Sequence, residues 1–249
     1  MSNELRQKQI LDMLEEYGAV SVRRLCAALF VSEATVRRDL SVLESLGALK
    51  RTHGGAVPAT DTTRPTPLFI RESMDARAKN DLCRRAAALV KDGDTIFIDG
   101  SSTAQYLVQY LAALKDIVVV TYSIKTAELL CEKHIKTYCT GGLLDSASLV
   151  CTGYEAIDFA KRINPDICFL SCKGLSLDGR FTDTSEAETA VRRAFLQNSR
   201  VRVFLITASK LSHRFFYSVC DADEVDYIFS DGEIPESVSA MLRQTRKTD

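Results

Sequence analysis

The stretch Ser32-Glu33-Ala34-Thr35-Val36-Arg37-Arg38-Asp39-Leu40 constrains this chain more tightly than any other. A serine ahead of apolar positions spaced three and four apart predicts a capped amphipathic helix. Val36, Leu40 and Leu43 stack on one side of it. At about 100° per residue, Ala34, Arg38, Ser41 and Ser45 lie opposite, with Arg37 beside them. Upstream, Ile10, Leu14 and Tyr17 mark one face of a first helix that Gly18 ends. Ser21 then caps a second helix whose Val22, Leu25, Cys26 and Leu29 share a face. Phe30-Val31 leaves room only for a tight turn, so residues 20–39 read as a helix-turn-helix. Gly47 closes the third helix. Ala48–Arg51 is a strand, His53-Gly54-Gly55 a turn, and Ala56-Val57 the returning partner, which together make a wing.

An exposed Arg-Arg pair is more often a solvated face than a binding one, and charge does not decide the matter. Residues 1–60 hold eight lysines and arginines against seven acidic residues, and 20–55 hold six against three. That is a patch and not a basic domain. The order of residues is more specific. Ser-x-x-Thr-Val-Arg-Arg-Asp-Leu, Leu-Glu-x-Leu-Gly-x-Leu and Arg-Thr-His-Gly-Gly-Ala closely resemble the winged helix-turn-helix signature of DeoR-type bacterial transcription regulators, from about Leu5 to Ala56. The resemblance implies a sequence-specific regulator, in the first instance a repressor, with double-stranded operator DNA as partner. The chemistry agrees. Arg37 and Arg38 can donate bidentately to guanine edges or phosphates, a specific guanine contact being worth about 1–3 kcal/mol of discrimination. Ser32 and Thr35, at the positive helix end, suit a phosphate. Lys50, Arg51 and His53 would lie beside the backbone from the wing. Asp39 is expected to hold one of the arginines in place, or to cap locally.

The 249 residues suffice for two domains, and 46% apolar with 26% charged residues describes an ordinary soluble protein. Apolar runs such as Ile117–Val120 fall far short of the roughly 20 residues that span a bilayer. No secretory pattern is legible, so the expected compartment is cytoplasmic. The eight cysteines are scattered without a Cys-x-x-Cys pair, which predicts reduced, mostly buried thiols and neither metal site nor cofactor. Pro58–Pro67 carries three of the five prolines and four threonines, an extended connector. The expected organisation is a DNA-binding domain at 3–58, a linker at 59–67 and a second domain at 68–249.

In the second domain, strand-like segments at 95–99, 117–122, 136–140, 167–171, 202–207 and 227–230 alternate with helical ones at 77–90, 103–114, 125–133, 155–163 and 186–198. That alternation predicts an α/β domain around a mainly parallel sheet covered on both faces. Ligands of such sheets bind beyond the carboxyl ends of the strands. Asp99-Gly100-Ser101-Ser102-Thr103 leaves one strand and opens a helix, a natural anion seat if it is more than a cap. It lacks the nucleotide-binding Gly-x-x-x-x-Gly-Lys pattern. Other strand ends supply Gly141, Lys173, Asp183, Glu188 and Lys210: the lysines as phosphate partners, the carboxylates as acceptors of sugar hydroxyls. The arrangement is similar to the C-terminal sensor domain of DeoR-type regulators, which resembles ribose-5-phosphate isomerase in fold. The resemblance implies a phosphorylated sugar as effector, with Asp99–Thr103 and Lys210 in the phosphate or active-site-like positions. One departure is Thr207, where the family commonly carries an aspartate three residues before the lysine, and it tells against isomerase chemistry. A regulator with no catalytic residues is therefore the leading expectation, acting as a homo-oligomer, dimer or tetramer, on paired half-sites. The competing reading is a sugar-phosphate isomerase-like enzyme with an accessory DNA-binding head.

Overall fold

The computed structural model describes residues 3–58 and 68–242. The connector expected at 59–67 lies outside the described residues. Two compact units are present, Met1–Ala76 and Arg77–Asp249.

The first unit runs α1 (Asn3–Tyr17), β1 (Val20–Ser21), α2 (Val22–Leu29), α3 (Glu33–Ser45), β2 (Leu49–Thr52), β3 (Gly55–Pro58) and α4 (Leu68–Ser73). Each start and stop has a local cause. Gly18, at φ 69°, ends α1 with its amide on the Leu14 carbonyl. Ser21 and Ser32 accept from the amides of Arg24 and Thr35, capping α2 and α3. Ile10, Leu14, Val22, Leu25, Leu29, Val36, Leu40, Leu43 and Leu49 form one core, to which α4 adds Ile70. Tyr17 does not join it. It is exposed, and the Arg24 guanidinium lies 3.6 Å from its ring centroid. The wing gains a third strand the periodicity did not foresee, because β1 pairs with β3 through Val20 opposite Ala56 and Ser21 opposite Gly55.

The second unit contains α5 (Ala76–Ala86, its first residue at the boundary), β4 (Thr95–Ile98), α6 (Val108–Leu111), β5 (Val118–Thr121), α7 (Ile124–Glu132), β6 (Lys136–Cys139), β7 (Leu143–Asp145), β8 (Val150–Thr152), α8 (Tyr154–Lys161), β9 (Ile167–Leu170), β10 (Gly174–Leu175), β11 (Arg180–Asp183), α9 (Glu186–Asn198), β12 (Val201–Ile206), β13 (Tyr217–Asp221), β14 (Tyr227–Ser230) and α10 (Glu236–Ser239). Six strands form one all-parallel sheet in the order β14-β12-β9-β4-β5-β6. Alternation along each strand splits its side chains between two cores. Phe97, Val120, Leu170 and Phe204 meet α8 and α9 through Ala156, Ala160, Val191 and Phe195. Ile96, Ile98, Val119 and Leu205 meet α5, α6 and α7 through Leu82, Leu111 and Leu130. Burying a side chain of this size is worth about 1.5–3 kcal/mol, so both helical layers are held firmly.

Three differences from the sequence reading matter. The helix expected at 103–114 is a 3-10 turn, Ala104–Leu107, followed by the single turn of α6. The hairpin β7–β8 and the small antiparallel sheet β10-β11-β13 were not anticipated. Among the described residues no helix is long and apolar enough to cross a membrane.

Candidate nucleic-acid interface and anion site

On α3 the buried side is Val36, Asp39, Leu40 and Leu43, while Ala34, Arg37, Arg38, Ser41 and Ser45 face outward. Arg38 is exposed. Arg37 is half-exposed and 3.3 Å from Glu33, a helical i,i+4 pair worth only a few tenths of a kcal/mol and easily given up. Ser32 caps the helix by accepting from the Thr35 amide, and its hydroxyl is joined to that of Thr35 at 3.0 Å, so both side chains are already engaged at the positive helix end. Lys50 and His53 are exposed on the wing, His53 in the turn itself. Arg51 plays a bracing part. Its guanidinium donates to the Ser41 hydroxyl at 2.7 Å and its amide to Glu44 at 2.8 Å, tying wing to helix.

Asp39 holds neither Arg37 nor Arg38. It is buried on the opposite side, where its carboxylate accepts from Nε and Nη2 of Arg6 and from Gln7 at 3.4 Å. The pair fixes α1 against α3, and Asp39 raises the pKa of Arg6 by hydrogen bond and charge against the cost of burial. The two cations that remain outward therefore sit on a helix clamped at cap, core and ion pair.

In the second unit the carboxyl ends of β4, β9 and β12 carry two linked groups. The first holds cations and hydroxyls. Lys210 donates to the Ser171 hydroxyl at 2.8 Å and to that of Thr103 at 3.4 Å. Buried Lys79 on α5 donates to the Ser102 hydroxyl at 3.2 Å. Two ammonium groups thus address neighbouring hydroxyls of one loop, an arrangement suited to a phosphate or another small anion. Ser101 behaves as a cap, its hydroxyl accepting from Ala104 at 3.0 Å. Gly100 is required by packing and not by a turn conformation. It has no positive φ, and a Cβ there would meet the Tyr122 ring at 2.7 Å and collide with Val150.

The second group is a charge hub centred on Arg192, which the strand-end argument missed. Its guanidinium donates to Asp99 at 3.0 Å, Asp183 at 3.0 Å and Glu188 at 2.9 Å, nearly all of it out of water. Asp99 also accepts from the amides of Ser101 and Ser171, both at 2.9 Å, which joins the hub to the loop bearing the hydroxyls. Asp183 and Glu188, expected to contact a sugar, and Asp99, expected in the anion seat, are thus first of all the counter-charges of one buried arginine. Lys173 leads into β10, its amide on the Thr182 carbonyl, and Gly141, at φ 70°, turns the chain out of β6. Thr207 is fully buried and shares a hydrogen bond with Ser209 at 2.9 Å. Among the described residues no group of His, Cys, Asp and Glu side chains has metal-holding geometry.

Comparison with known proteins adds the following. Residues 6–62 match the DeoR-like helix-turn-helix domain, and residues 74–232 the DeoR C terminal sensor domain. The HTH-type transcriptional regulator GolR of Listeria innocua is 31% identical over 94% of this chain and 92% of its own. The HTH-type transcriptional repressor GlcR of Bacillus subtilis is 32% identical over 93% and 89%. The glycerol-3-phosphate regulon repressor of Haemophilus influenzae is 27% identical over 99% and 96%. Among solved structures, ribose 5-phosphate isomerase A of Methanocaldococcus jannaschii aligns over 55% of each chain at 18% identity, with a TM-score of 0.42. At that level the likeness assigns no chemistry.

Proposed function

Because the chain belongs to the DeoR family of transcriptional regulators, we propose that it is a DNA-binding repressor of a sugar or carbohydrate catabolic operon, controlled by a phosphorylated sugar. The observation that carries the reading is the outward pair Arg37 and Arg38 on a helix whose other side is locked by Val36, Leu40 and the Asp39–Arg6 ion pair. Arg37 and Arg38 read base edges or phosphates, Ser32 and Thr35 take a phosphate at the helix start, and Lys50, Arg51 and His53 follow the backbone. One winged helix covers a short half-site, so the working form is a homo-oligomer, acting in the cytoplasm.

The effector's phosphate is held by Lys210, Lys79, Ser102 and Thr103. Asp99, Gly100 and Ser101 shape that loop, and Gly141, Lys173, Asp183 and Glu188 are the candidates to meet the sugar. Two observations favour a sensor over the isomerase reading. The family's usual carboxylate is Thr207 here, and Asp99, Asp183 and Glu188 are engaged by Arg192. The full chain, titrated onto DNA from upstream of its own gene, tests the proposal. Millimolar sugar phosphates are expected to change operator affinity by about tenfold, within the usual range of allosteric coupling, and the parent sugars to do much less. Lys210→Met and Thr103→Val should remove that response and leave effector-free DNA binding intact. Equal affinity with every phosphosugar would contradict the sensor role.

A further inference from the structure

The six-stranded parallel sheet ends differently on its two sides. Strands β4, β5, β9, β12 and β14 each bury at least half of their residues, as a sheet covered on both faces requires. At one edge β14 keeps Ile228 and Phe229 buried. At the other, β6 buries none of its four residues. It pairs with β5 alone, and among the described residues no strand covers its outer side. Backbone donors and acceptors therefore stand open along that edge.

The surface beside it is apolar. Three residues link β6 to the hairpin β7–β8, which is docked at the end of β5 by the Cys151 amide on the Tyr122 carbonyl and the Ile124 amide on the Leu149 carbonyl. β8 is buried throughout, whereas β7 is exposed throughout, Leu143 at 74% and Leu144 at 52%. A Cβ on Gly153 would stand 4.0 Å from that of Leu143, which brings the neighbouring Tyr154, 76% exposed, alongside. Tyr138, exposed on β6, extends the set to the sheet edge. Apolar groups exposed singly are ordinary, but a grouped set marks an interaction surface.

Charge identifies the partner. At the start of β6, exposed Lys133 and Lys136 outweigh Glu132, and the Lys136 ammonium lies 5.9 Å from the Tyr138 ring centroid on the same side of the strand. Beyond that start the sign reverses. Residues 137–160 contain no lysine or arginine, and Asp145 and Glu155 stand exposed where β7 ends and α8 begins. Among the described residues none of Lys133, Lys136, Asp145 and Glu155 makes an ion pair within the chain. An edge lysine by itself deters pairing. A two-fold axis across β6 removes that objection, because antiparallel self-pairing sets the basic end of one copy against the acidic end of the other. We propose that β6 and the β7 arm are the surface through which two copies of this chain associate edge to edge, joining their sheets into one and covering Tyr138, Leu143 and Leu144. This surface presupposes the homo-oligomeric working form and assigns where its copies meet.

Light scattering on the full chain after size exclusion tests it, without DNA or effector. The wild type is expected at an even multiple of the chain mass. Lys133→Glu with Lys136→Glu makes both ends acidic and should halve that mass. Asp145→Asn with Glu155→Lys makes the acidic end basic and should halve it too, the asparagine keeping the bonds to the amides of Ala147 and Ser148. Mixing the two variants should restore the wild-type mass as a hybrid, which misfolded chains could not do. Leu143→Asp, at a position outside the core, should weaken association at least tenfold. Binding of each protein to a single DNA half-site, measured separately, reports on DNA recognition and should not change. A monomeric wild type would refute the homo-oligomer and this surface together. An unchanged mass in both charge variants, or a mixture that stays monomeric, would overturn this surface alone.

Discussion

Asp39 and Arg192 are single charges around which their units are assembled. Each lies out of water, and each is tolerable only because its partners surround it. Removing one member of such a set leaves the others as uncompensated buried charges, at a cost of about 3–5 kcal/mol. Asp39→Ala should therefore destabilise the first unit by that order in urea titrations followed by circular dichroism. Arg192→Met should do the same to the second. Replacing Arg6 and Asp39 together with apolar residues of similar volume should restore much of the first loss, since the apolar pair has no charge to desolvate. These residues also show where sequence reasoning stops. Asp39 was expected to hold a neighbouring arginine or to cap locally, but its partner Arg6 is 33 residues away, a pairing that leaves no local trace. Asp183 and Glu188 read as sugar contacts, and Asp99 as part of an anion seat, because carboxylates at strand ends look alike whether they face a cavity or one another. The Glu188–Arg192 spacing of four on one helix was the available signal.

At the scale of elements, periodicity carries well where an element buries a whole face. All six expected parallel strands are in the sheet, because Ile96–Ile98, Val118–Val120 and Val203–Ile206 place apolar side chains on both sides at once. The capped helices of the first unit are equally legible from Ser21 and Ser32. Shorter pieces are not. Gly174–Leu175 is two residues long, Leu143–Asp145 is exposed throughout, and Tyr217–Asp221 mixes polar and apolar residues, so none carries the continuous apolar run that marks a parallel strand. In the loop after β4, Gly100 is demanded by close packing against Tyr122 and Val150 and not by a positive φ, which no local sequence signal reveals. This has a measurable consequence. Gly100→Ala pushes a methyl group toward Tyr122 and Val150, and overpacking of this kind costs about 1–3 kcal/mol. The variant should melt earlier than the wild type, and its response to sugar phosphates should fall, because the same loop carries Ser102 and Thr103. An unchanged melting temperature would show that the loop has room the packing denies.

At the scale of the molecule, one unit presents cations to the outside and the other directs them inward at loop hydroxyls. Control of the first by the second requires only that the effector bind the DNA-competent and DNA-incompetent forms with different affinity. The central claim is the more elementary one, that Arg37 and Arg38 form the ridge that reads DNA. It is tested most directly by fluorescence anisotropy of labelled operator, comparing the wild type with Arg37→Ala and Arg38→Ala at two salt concentrations. Loss of a bidentate base contact is expected to weaken binding by about 1–3 kcal/mol, roughly five- to 150-fold. A contact to phosphate alone should instead flatten the salt dependence by about one charge. Circular dichroism should stay unchanged for both variants, since neither side chain supports the core. Wild-type affinity and wild-type salt dependence in both variants would contradict the account.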